Sequence, residues 1–226
     1  MEGQRVLAQV PLFTGLSSEE LDALAALSRR RRYGKGEVVF RQGDPGSVLY
    51  IIESGQVKLT LTSTDGKEVI LALLGPGGFF GELSLLDGEP RSADAVARLD
   101  SLLWALQRQH FLEFLDGRPR AARGLLAALS RRLRRTTELV QDAGFLDVPG
   151  RLARALLQMS EAAGQAGPDG VVVSPRLTQA ELAEMVGATR ESVNKWLGVY
   201  ERQGLLRRQR GLITVLRPDE LRNRVD

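Results

Sequence analysis

The amino-acid sequence predicts an α+β protein with an N-terminal β-jelly-roll domain, a long helix and a C-terminal winged helix-turn-helix domain. Between residues 33 and 106, short β-rich runs alternate with glycine turns, a pattern typical of a sandwich, barrel or jelly roll. Apolar residues then recur at three- and four-residue steps, which predicts a long helix. Two capped helices followed by a basic hairpin predict the last domain. The predicted domain limits are 1–118, 119–146 and 147–226.

The composition excludes several classes of site. The 226-residue chain has no cysteine, so disulfides and cysteine-held iron–sulfur clusters are excluded. The single histidine, His110, cannot build a multi-histidine metal site, and we expect no metal, haem or iron–sulfur cluster. No Ser–His–Asp or Cys–His set with a spare base is present, which argues against nucleophilic catalysis. We therefore expect a protein that is not an enzyme.

Charge and hydropathy bear on location and partners. No apolar run approaches the roughly 18 residues that a membrane-spanning helix needs. The first residues also lack a basic start followed by a long apolar stretch. We therefore expect no membrane partner and a cytoplasmic location. The net charge is +3, and the basic excess lies in residues 151–226, where Lys and Arg outnumber Asp and Glu by 12 to 9. A basic excess in a small domain suits a polyanionic partner.

A short helix is predicted before the β-region. Ser17 and Glu20 have the spacing of a capping box. The four arginines at 29–32 are expected to end this helix, where positive charge is favourable. A turn is predicted at Ser54 and Gly55. The predicted strands are the runs 38–40, 48–52, 57–61, 69–74, 95–96 and 102–106.

The long helix, predicted from about Pro119 to about Gly144, has a narrow apolar seam. Such a seam is typical of a two-stranded coiled coil and predicts a homodimer. The arginines at 131, 132, 134 and 135 flank the seam and are expected to be solvated. The alternative is that this helix packs only on its own β-domain. The predicted dimer interface is formed by Leu126, Leu129, Leu133, Thr137 and Val140.

The carboxy-terminal third predicts a DNA-binding motif. Residues 145–150 form a predicted hinge, after which Asp147 caps a helix with Pro149 in its first turn. Gly187 permits the tight turn between the two helices of the motif. The exposed start of the second helix would meet base edges. Residues 205–215 predict a basic hairpin, or wing, whose arginines reach phosphates. The predicted DNA-binding residues are Thr178, Gln179, Thr189, Arg190, Glu191, Ser192, Asn194, Lys195, Arg208 and Arg210.

The segment from Gly81 to Ala93 has the chemistry of a sugar-phosphate site. The Arg91 guanidinium can bind a phosphate, and Ser92 can add donors. The Glu82 carboxylate repels phosphate but can accept a hydrogen bond from a ribose hydroxyl. On chemistry alone, a surface loop with a Glu–Arg pair remains an alternative.

The chain resembles the cyclic AMP receptor protein/FNR family of bacterial transcription regulators over nearly its whole length. The resemblance rests on Gly81-Glu82-Leu83 with Pro90-Arg91-Ser92-Ala93, on residues 131–148, and on residues 188–195. It implies that cyclic AMP is the allosteric effector. In the family, residues matching Gly81 and Glu82 hold the ribose, Arg91 and Ser92 the cyclic phosphate, and Thr136 and Thr137 the adenine, with one threonine from each subunit.

The resemblance also implies how DNA is read. Arg190, Glu191 and Lys195 match the family's base-contacting positions, which implies a half-site close to TGTGA. Lys195 departs from the arginine of the founding member and loses the bidentate fork that arginine offers. Double-stranded DNA, RNA polymerase and a second copy of the chain are the implied partners, with the protein nucleoid-associated when it is bound to DNA.

Two functional alternatives remain open. The chain could act without a nucleotide or with another effector. It could also be a cyclic-nucleotide module that regulates an enzyme, although no kinase or phosphodiesterase motif accompanies it. For RNA polymerase, the arginines at 29–32 and the predicted surface loop 164–170 are candidate contacts, and a solvated charge run is the alternative for the arginines.

Overall fold

A computed structural model describes residues 6–8, 10–13, 16–173 and 176–225. The first five residues, on which the expectation about a leader partly depends, lie outside that range. The chain forms two compact units: residues 1–62 with 70–136, and residues 63–69 with 137–226. In the described ranges, no helix is both long and apolar enough to cross a membrane.

The first unit is built on an antiparallel sheet, which confirms the predicted β-domain. The described strands are β1 (Ser28–Tyr33), β2 (Val38–Phe40), β3 (Val48–Thr62), β4 (Glu68–Leu74), β5 (Phe79–Phe80) and β6 (Asp94–Gln107). In the sheet they follow the order β1-β6-β3-β4, and β2 pairs with β6 while β5 pairs with β3.

The two longest strands each join two runs that the sequence predicts as separate. β3 and β6 pair along most of their length, with register shifts near Ser54. The prediction of a turn at Ser54 and Gly55 is wrong, because these residues form an irregularity inside β3. Gly55 has φ +88°, and a Cβ there would clash with the backbone of Asp100. Glycine therefore lets β3 bend without ending.

The first helix begins as predicted and ends earlier than predicted. Helix α1 (Ser18–Ala26) has the Ser17–Glu20 capping box. The arginines at 29–32 do not lie in this helix, because residues 28–33 pair with residues 101–106 of β6 and form β1. Hydrogen bonding to a distant strand therefore outweighs the local preference of these arginines for the end of a helix. The four arginines are exposed along the edge of the sheet, and Tyr33 is buried.

Three further helices complete the β-domain and lead out of it. They are α2 (Leu83–Asp87), α3 (Arg108–Asp116) and α4 (Pro119–Phe145). The extent of α4 confirms the predicted long helix. Its first half packs against the core through Ala121, Leu125 and Ala128, together with Phe13 and Phe111.

The second unit has the helices and the basic hairpin predicted for a winged helix-turn-helix. Asp147 caps α5 and accepts a hydrogen bond from the Gly150 amide, as predicted. The buried Tyr200 hydroxyl donates to the Pro149 carbonyl at 2.8 Å. Residues 164–170 were predicted as a loop, but residues 165–172 form a short hairpin. The elements are α5 (Val148–Ala163), β7 (Gln165–Gly167), β8 (Gly170–Val172), α6 (Gln179–Val186), α7 (Arg190–Arg202), β9 (Leu206–Gln209), β10 (Leu212–Val215) and α8 (Pro218–Arg222).

Candidate ligand pocket and nucleic-acid interface

The first unit contains a cavity of about 510 Å³, in the size range of small-molecule sites. It lies between the segment 81–93 and helix α4. Of the predicted ligand residues, Thr136 lines this cavity and Thr137 does not. The other predicted ligand residues that line it are Gly81, Glu82, Leu83, Arg91, Ser92 and Ala93.

Backbone geometry places the predicted ligand segment. Gly81 has φ +83°, and a Cβ there would displace the Arg91 guanidinium and crowd the Val48 carbonyl. Helix α2 follows at once and ends at Gly88, whose φ of 80° is left-handed. The glycines therefore allow the chain to pass close beneath the arginine and turn back toward Ser92.

Arg91 is held rigidly in the wall of the cavity. Only 4% of it is exposed. Its Nη1 donates to the Gly81 carbonyl at 2.6 Å, and its Nη2 donates to the Val48 carbonyl at 2.8 Å. The guanidinium also lies 4.2 Å from the centroid of the Phe40 ring. Its Nε has no hydrogen-bond partner among the described residues. The arginine therefore has donor capacity left for an anion.

Glu82 lines the same cavity and carries the opposite type of group, a carboxylate that accepts hydrogen bonds. It is 1% exposed, and its Oε1 accepts a hydrogen bond from Arg132 on helix α4. Its other oxygen, Oε2, is buried without a partner among the described residues. A buried carboxylate oxygen that lacks a donor is costly, so it is an acceptor available to a ligand hydroxyl.

Burial affects the pKa of the arginine at this site but not its charge. Burial lowers the pKa of the Arg91 guanidinium from its usual value, while Tyr50, Glu82 and Asp44 act in the opposite direction. Arginine nevertheless stays charged in proteins. The cavity is therefore lined by three arginines, Arg91, Arg132 and Arg135, and by one carboxylate, Glu82. Its apolar walls include Leu71, Ala72, Leu126, Leu129 and Leu133.

Arg132 is a site residue that the sequence reasoning missed. It was expected to be a solvated flank of the seam, but it forms an ion pair with Glu82 and donates to the Phe79 carbonyl. Its guanidinium also lies 4.8 Å from the centroid of the Phe79 ring. A signal was available, since Arg132 precedes Thr136 by one helical turn and the two share a face.

The seam residues differ in their surroundings. Leu129 packs against the core of the first unit. Leu126, Leu133 and Val140, spaced seven residues apart, are 62%, 69% and 67% exposed. Large apolar side chains exposed at a seven-residue spacing on one helix are typical of a coiled-coil seam.

The helix-turn-helix has the caps that the sequence predicts. Thr178 and Glu181 form a capping box, and Gly187, with φ 61°, ends α6. The Thr189 side chain accepts a hydrogen bond from the Ser192 amide and caps α7. The buried face of α7 carries Val193, Leu197 and Tyr200. The motif therefore holds α7 by its apolar face.

The opposite face of α7 is polar. Arg190, Glu191, Asn194 and Lys195 are exposed, and Ser192 is half-buried. Hydrogen bonds from its own backbone amide and from Thr189 hold the pKa of Glu191 below its usual value. Glu191 is therefore an ionised acceptor beside two cations. This set can both accept from and donate to base edges.

The wing is formed by β9 and β10. Its turn contains Arg210, a non-glycine residue at φ 50°, followed by Gly211 at φ 74°. Arg176 donates to the Arg210 carbonyl at 2.7 Å. Arg208 is bound to Glu201, with Nε to Oε2 at 3.0 Å. Of the two predicted wing contacts, Arg210 is exposed and Arg208 is engaged with other side chains.

One polar network joins the wing to the recognition helix. The Asn194 Oδ1 accepts a hydrogen bond from Gln179 at 3.1 Å and another from Arg208 at 3.0 Å. Three residues predicted to contact DNA are therefore bound to one another. In the part of the chain that the structure describes, no group of three or more His, Asp or Glu residues could hold a metal ion.

Models of two known protein domains match this chain, one in each half of the sequence. A model of the cyclic nucleotide-binding domain matches residues 30–118, and a model of the Crp-like helix-turn-helix domain matches residues 150–224. The "CRP-like cAMP-activated global transcriptional regulator" of Mycobacterium tuberculosis is 38% identical over 89% of this chain and 90% of its own length. The "Cyclic AMP receptor protein" of Thermus thermophilus is 39% identical over 91% and 92%.

A solved structure adds a relative with a different effector. The c-di-GMP-responsive global regulator CLP of Xanthomonas campestris aligns with a TM-score of 0.78 and 29% identity, over 88% of this chain and 99% of that one. The relatives therefore share one architecture and differ in the nucleotide that their names give.

Proposed function

We propose that this chain, which belongs to the cyclic AMP receptor protein/FNR family of transcription regulators, is a cyclic-AMP-responsive homodimer that binds a palindromic TGTGA-like site in double-stranded DNA. Its relatives are named transcriptional regulators, and the chain is a DNA-binding regulator and not an enzyme. Residues 1–118 bind the nucleotide, 119–146 form the dimer helix, and 147–226 bind DNA.

One observation carries the choice of ligand class. Arg91 Nε and Glu82 Oε2 are buried, have no partner among the described residues, and belong to side chains that line one cavity. A cyclic ribose phosphate has a single negative charge and a ribose hydroxyl close to it. The anion would satisfy the arginine and the hydroxyl would satisfy the carboxylate. Ser92 would add a donor to the phosphate.

The rest of the cavity suits a purine. Thr136 supplies a hydroxyl on α4, and the leucine-rich walls supply apolar contact. Thr137, which does not line the cavity of its own chain, would reach the adenine bound by the partner subunit. A hydroxyl contributed by each of the two chains would make nucleotide binding sensitive to the dimer arrangement.

The exposed seam supports a dimer. Leu126, Leu133 and Val140 remain exposed although leucine and valine are usually buried. Pairing α4 with its copy would bury these side chains together with Thr137, while Leu129 would support the seam from the core side. Cyclic AMP would bind one dimer arrangement better than another and so shift the population toward it.

The favoured dimer would place the two recognition helices one DNA turn apart, roughly 34 Å. In each half-site, Arg190 and Lys195 would donate to guanine, and Glu191 would accept from cytosine. The other predicted DNA-binding residues would either contact the DNA or position the side chains that contact it. They are Thr178, Gln179, Thr189, Ser192, Asn194, Arg208 and Arg210.

RNA polymerase is a proposed partner. The arginines at 29–32 lie on an edge strand, where Arg30 is bound to Glu53 at 2.7 Å. Arg29, Arg31 and Arg32 are exposed and offer positive charge to an acidic surface. The hairpin at 165–172 offers a second exposed surface.

Binding assays test this function. Fluorescence anisotropy on a TGTGA palindrome should show that cyclic AMP tightens DNA binding. Because coupling is reciprocal, the operator should tighten cyclic AMP binding by the same factor. Equal affinities with and without the second ligand would refute cyclic AMP control.

A second candidate effector is a cyclic dinucleotide. The naming of CLP as c-di-GMP-responsive favours testing it. Calorimetry with cyclic AMP and with c-di-GMP separates the two, since only the true effector should bind and also change operator affinity. Binding of the operator that responds to neither would indicate a regulator that acts without a nucleotide.

A further inference from the structure

The side chain of Asn194 joins three elements of the DNA-binding unit. It lies on the exposed face of α7, one turn after Arg190. Its Oδ1 accepts from the Gln179 Nε2 of α6 at 3.1 Å and from the Arg208 Nη1 of β9 at 3.0 Å. This one oxygen therefore connects the first helix of the motif, the recognition helix and the wing.

Donor and acceptor chemistry fixes how this amide is oriented. A guanidinium has no acceptor, so the oxygen of Asn194, and not its nitrogen, must face Arg208. A carbonyl oxygen has two lone pairs, and two donors occupy them. The acceptor of Asn194 is therefore used within the protein.

Arg208 is fixed on its other side by Glu201. The Arg208 Nη2 lies 2.8 Å from Glu201 Oε2, and the Arg208 backbone amide donates to Glu201 Oε1 at 2.9 Å. These bonds hold the pKa of Glu201 below its usual value. Arg208 thus bridges from Glu201, near the end of α7, to Asn194, near its start.

Asparagine on a recognition helix ordinarily reads adenine with both ends of its amide, accepting from N6 and donating to N7. Asn194 cannot do so while its oxygen holds Gln179 and Arg208. We propose that Asn194 is a positioning residue that sets the wing against the recognition helix and does not select a base. This inference rests on the proposed DNA-binding function and assigns Asn194 a role within it.

The variant Asn194→Ala tests this role. Alanine favours helix formation more than asparagine does, so α7 should still fold. The duplexes should be selected from a random-sequence pool by the wild-type protein, so that the assay assumes neither TGTGA nor cyclic AMP. Affinity should be measured on the selected site and on each of its single-base-pair variants. Asn223→Ala, an exposed asparagine elsewhere in the same unit, is the matched control.

We expect Asn194→Ala to weaken binding by about 5- to 30-fold on every duplex. The two exposed hydrogen bonds that it removes orient the wing and do not contact DNA, so only part of their contribution reaches the binding free energy. The ranking of the variant sites should be unchanged, whereas Arg190→Ala should flatten the ranking at one base pair. A loss confined to one base pair in Asn194→Ala would overturn the proposal.

A double-mutant cycle distinguishes this proposal from the function on which it rests. Arg208→Ala should cost less in the Asn194→Ala background than in the wild type, both in DNA affinity and in the thermal stability of the free protein. Additive losses in stability would refute the link between the two side chains even if DNA binding is normal. Failure of the wild type to select any duplex, with the stability coupling intact, would refute the proposed function instead.

Discussion

Replacing Glu82 with glutamine should remove most of the protein's preference for a ribose hydroxyl. The substitution keeps the size of the side chain but removes the negative charge. In the wild type, the Oε2 of Glu82 is buried without a partner among the described residues, and in the proposed complex it would accept from the 2′-hydroxyl of cyclic AMP. A hydrogen bond to a charged group contributes about 1.5–3 kcal/mol, which corresponds to about 10- to 150-fold in affinity. The wild type should therefore bind cyclic AMP that much more tightly than 2′-deoxy cyclic AMP.

The ratio of the two affinities isolates this contact. Glu82→Gln also weakens the ion pair with Arg132, but that change affects both nucleotides alike and cancels in the ratio. In the variant, a neutral amide replaces the carboxylate, and the ratio should fall to a few-fold. Isothermal titration calorimetry with both nucleotides measures it directly. Glu89→Gln, at an exposed position in the same segment, is the control and should keep the wild-type ratio.

An unchanged ratio in Glu82→Gln would refute the reasoning, because the hydroxyl would then bind elsewhere. A low ratio in the wild type would refute it as well. Loss of all binding in the variant would point instead to collapse of the cavity, which the thermal melting curve of the free protein would reveal.

Three further predictions follow from the fold. Leu133→Asp should convert the proposed dimer to a monomer in analytical ultracentrifugation, because it places a charge in the apolar seam, whereas Leu99→Asp, on another exposed leucine, should leave that dimer intact. Burial raises the pKa of Tyr200 to about 12, so stability should be fully present below pH 10 and fall as the pH rises toward 12, by up to roughly 2–3 kcal/mol. Tyr200→Phe should lose this pH-dependent part in alkaline unfolding, and an unchanged slope would contradict it. Thr178→Ala should lower stability by about 0.5–2 kcal/mol in thermal melts through loss of the cap, and no change would contradict the capping box.

Features that depend on residues close in sequence could be predicted well. The Ser17 and Thr178 capping boxes each join residues three positions apart, and both form as predicted. The cap at Asp147 also formed as predicted. In each case, the hydrogen bond closes within one helical turn and requires no distant partner.

Features decided by distant pairing were predicted less well. The arginines at 29–32 follow a helix with favourable charge for its end, yet residues 28–33 pair with β6 about 70 residues later in the sequence. The irregularity at Gly55 was interpreted as a turn for the same reason, since its partner strand is not visible locally. Sheet pairing gains hydrogen bonds and burial that no local pattern expresses.

The same distinction applies to the candidate sites, where the sequence indicated which helix carries a residue but not what the residue binds. Arg132 was placed correctly on the long helix, but its carboxylate partner is 50 residues away. Asn194 was placed correctly on the exposed face of α7, but its two donors come from α6 and β9. The family resemblance assigns neighbouring residues to the nucleotide or to DNA. Arg132 and Asn194 themselves form hydrogen bonds with other side chains of the protein. A motif therefore identifies the surface that meets a ligand, while the contacts across that surface decide which of its groups remain available to bind it.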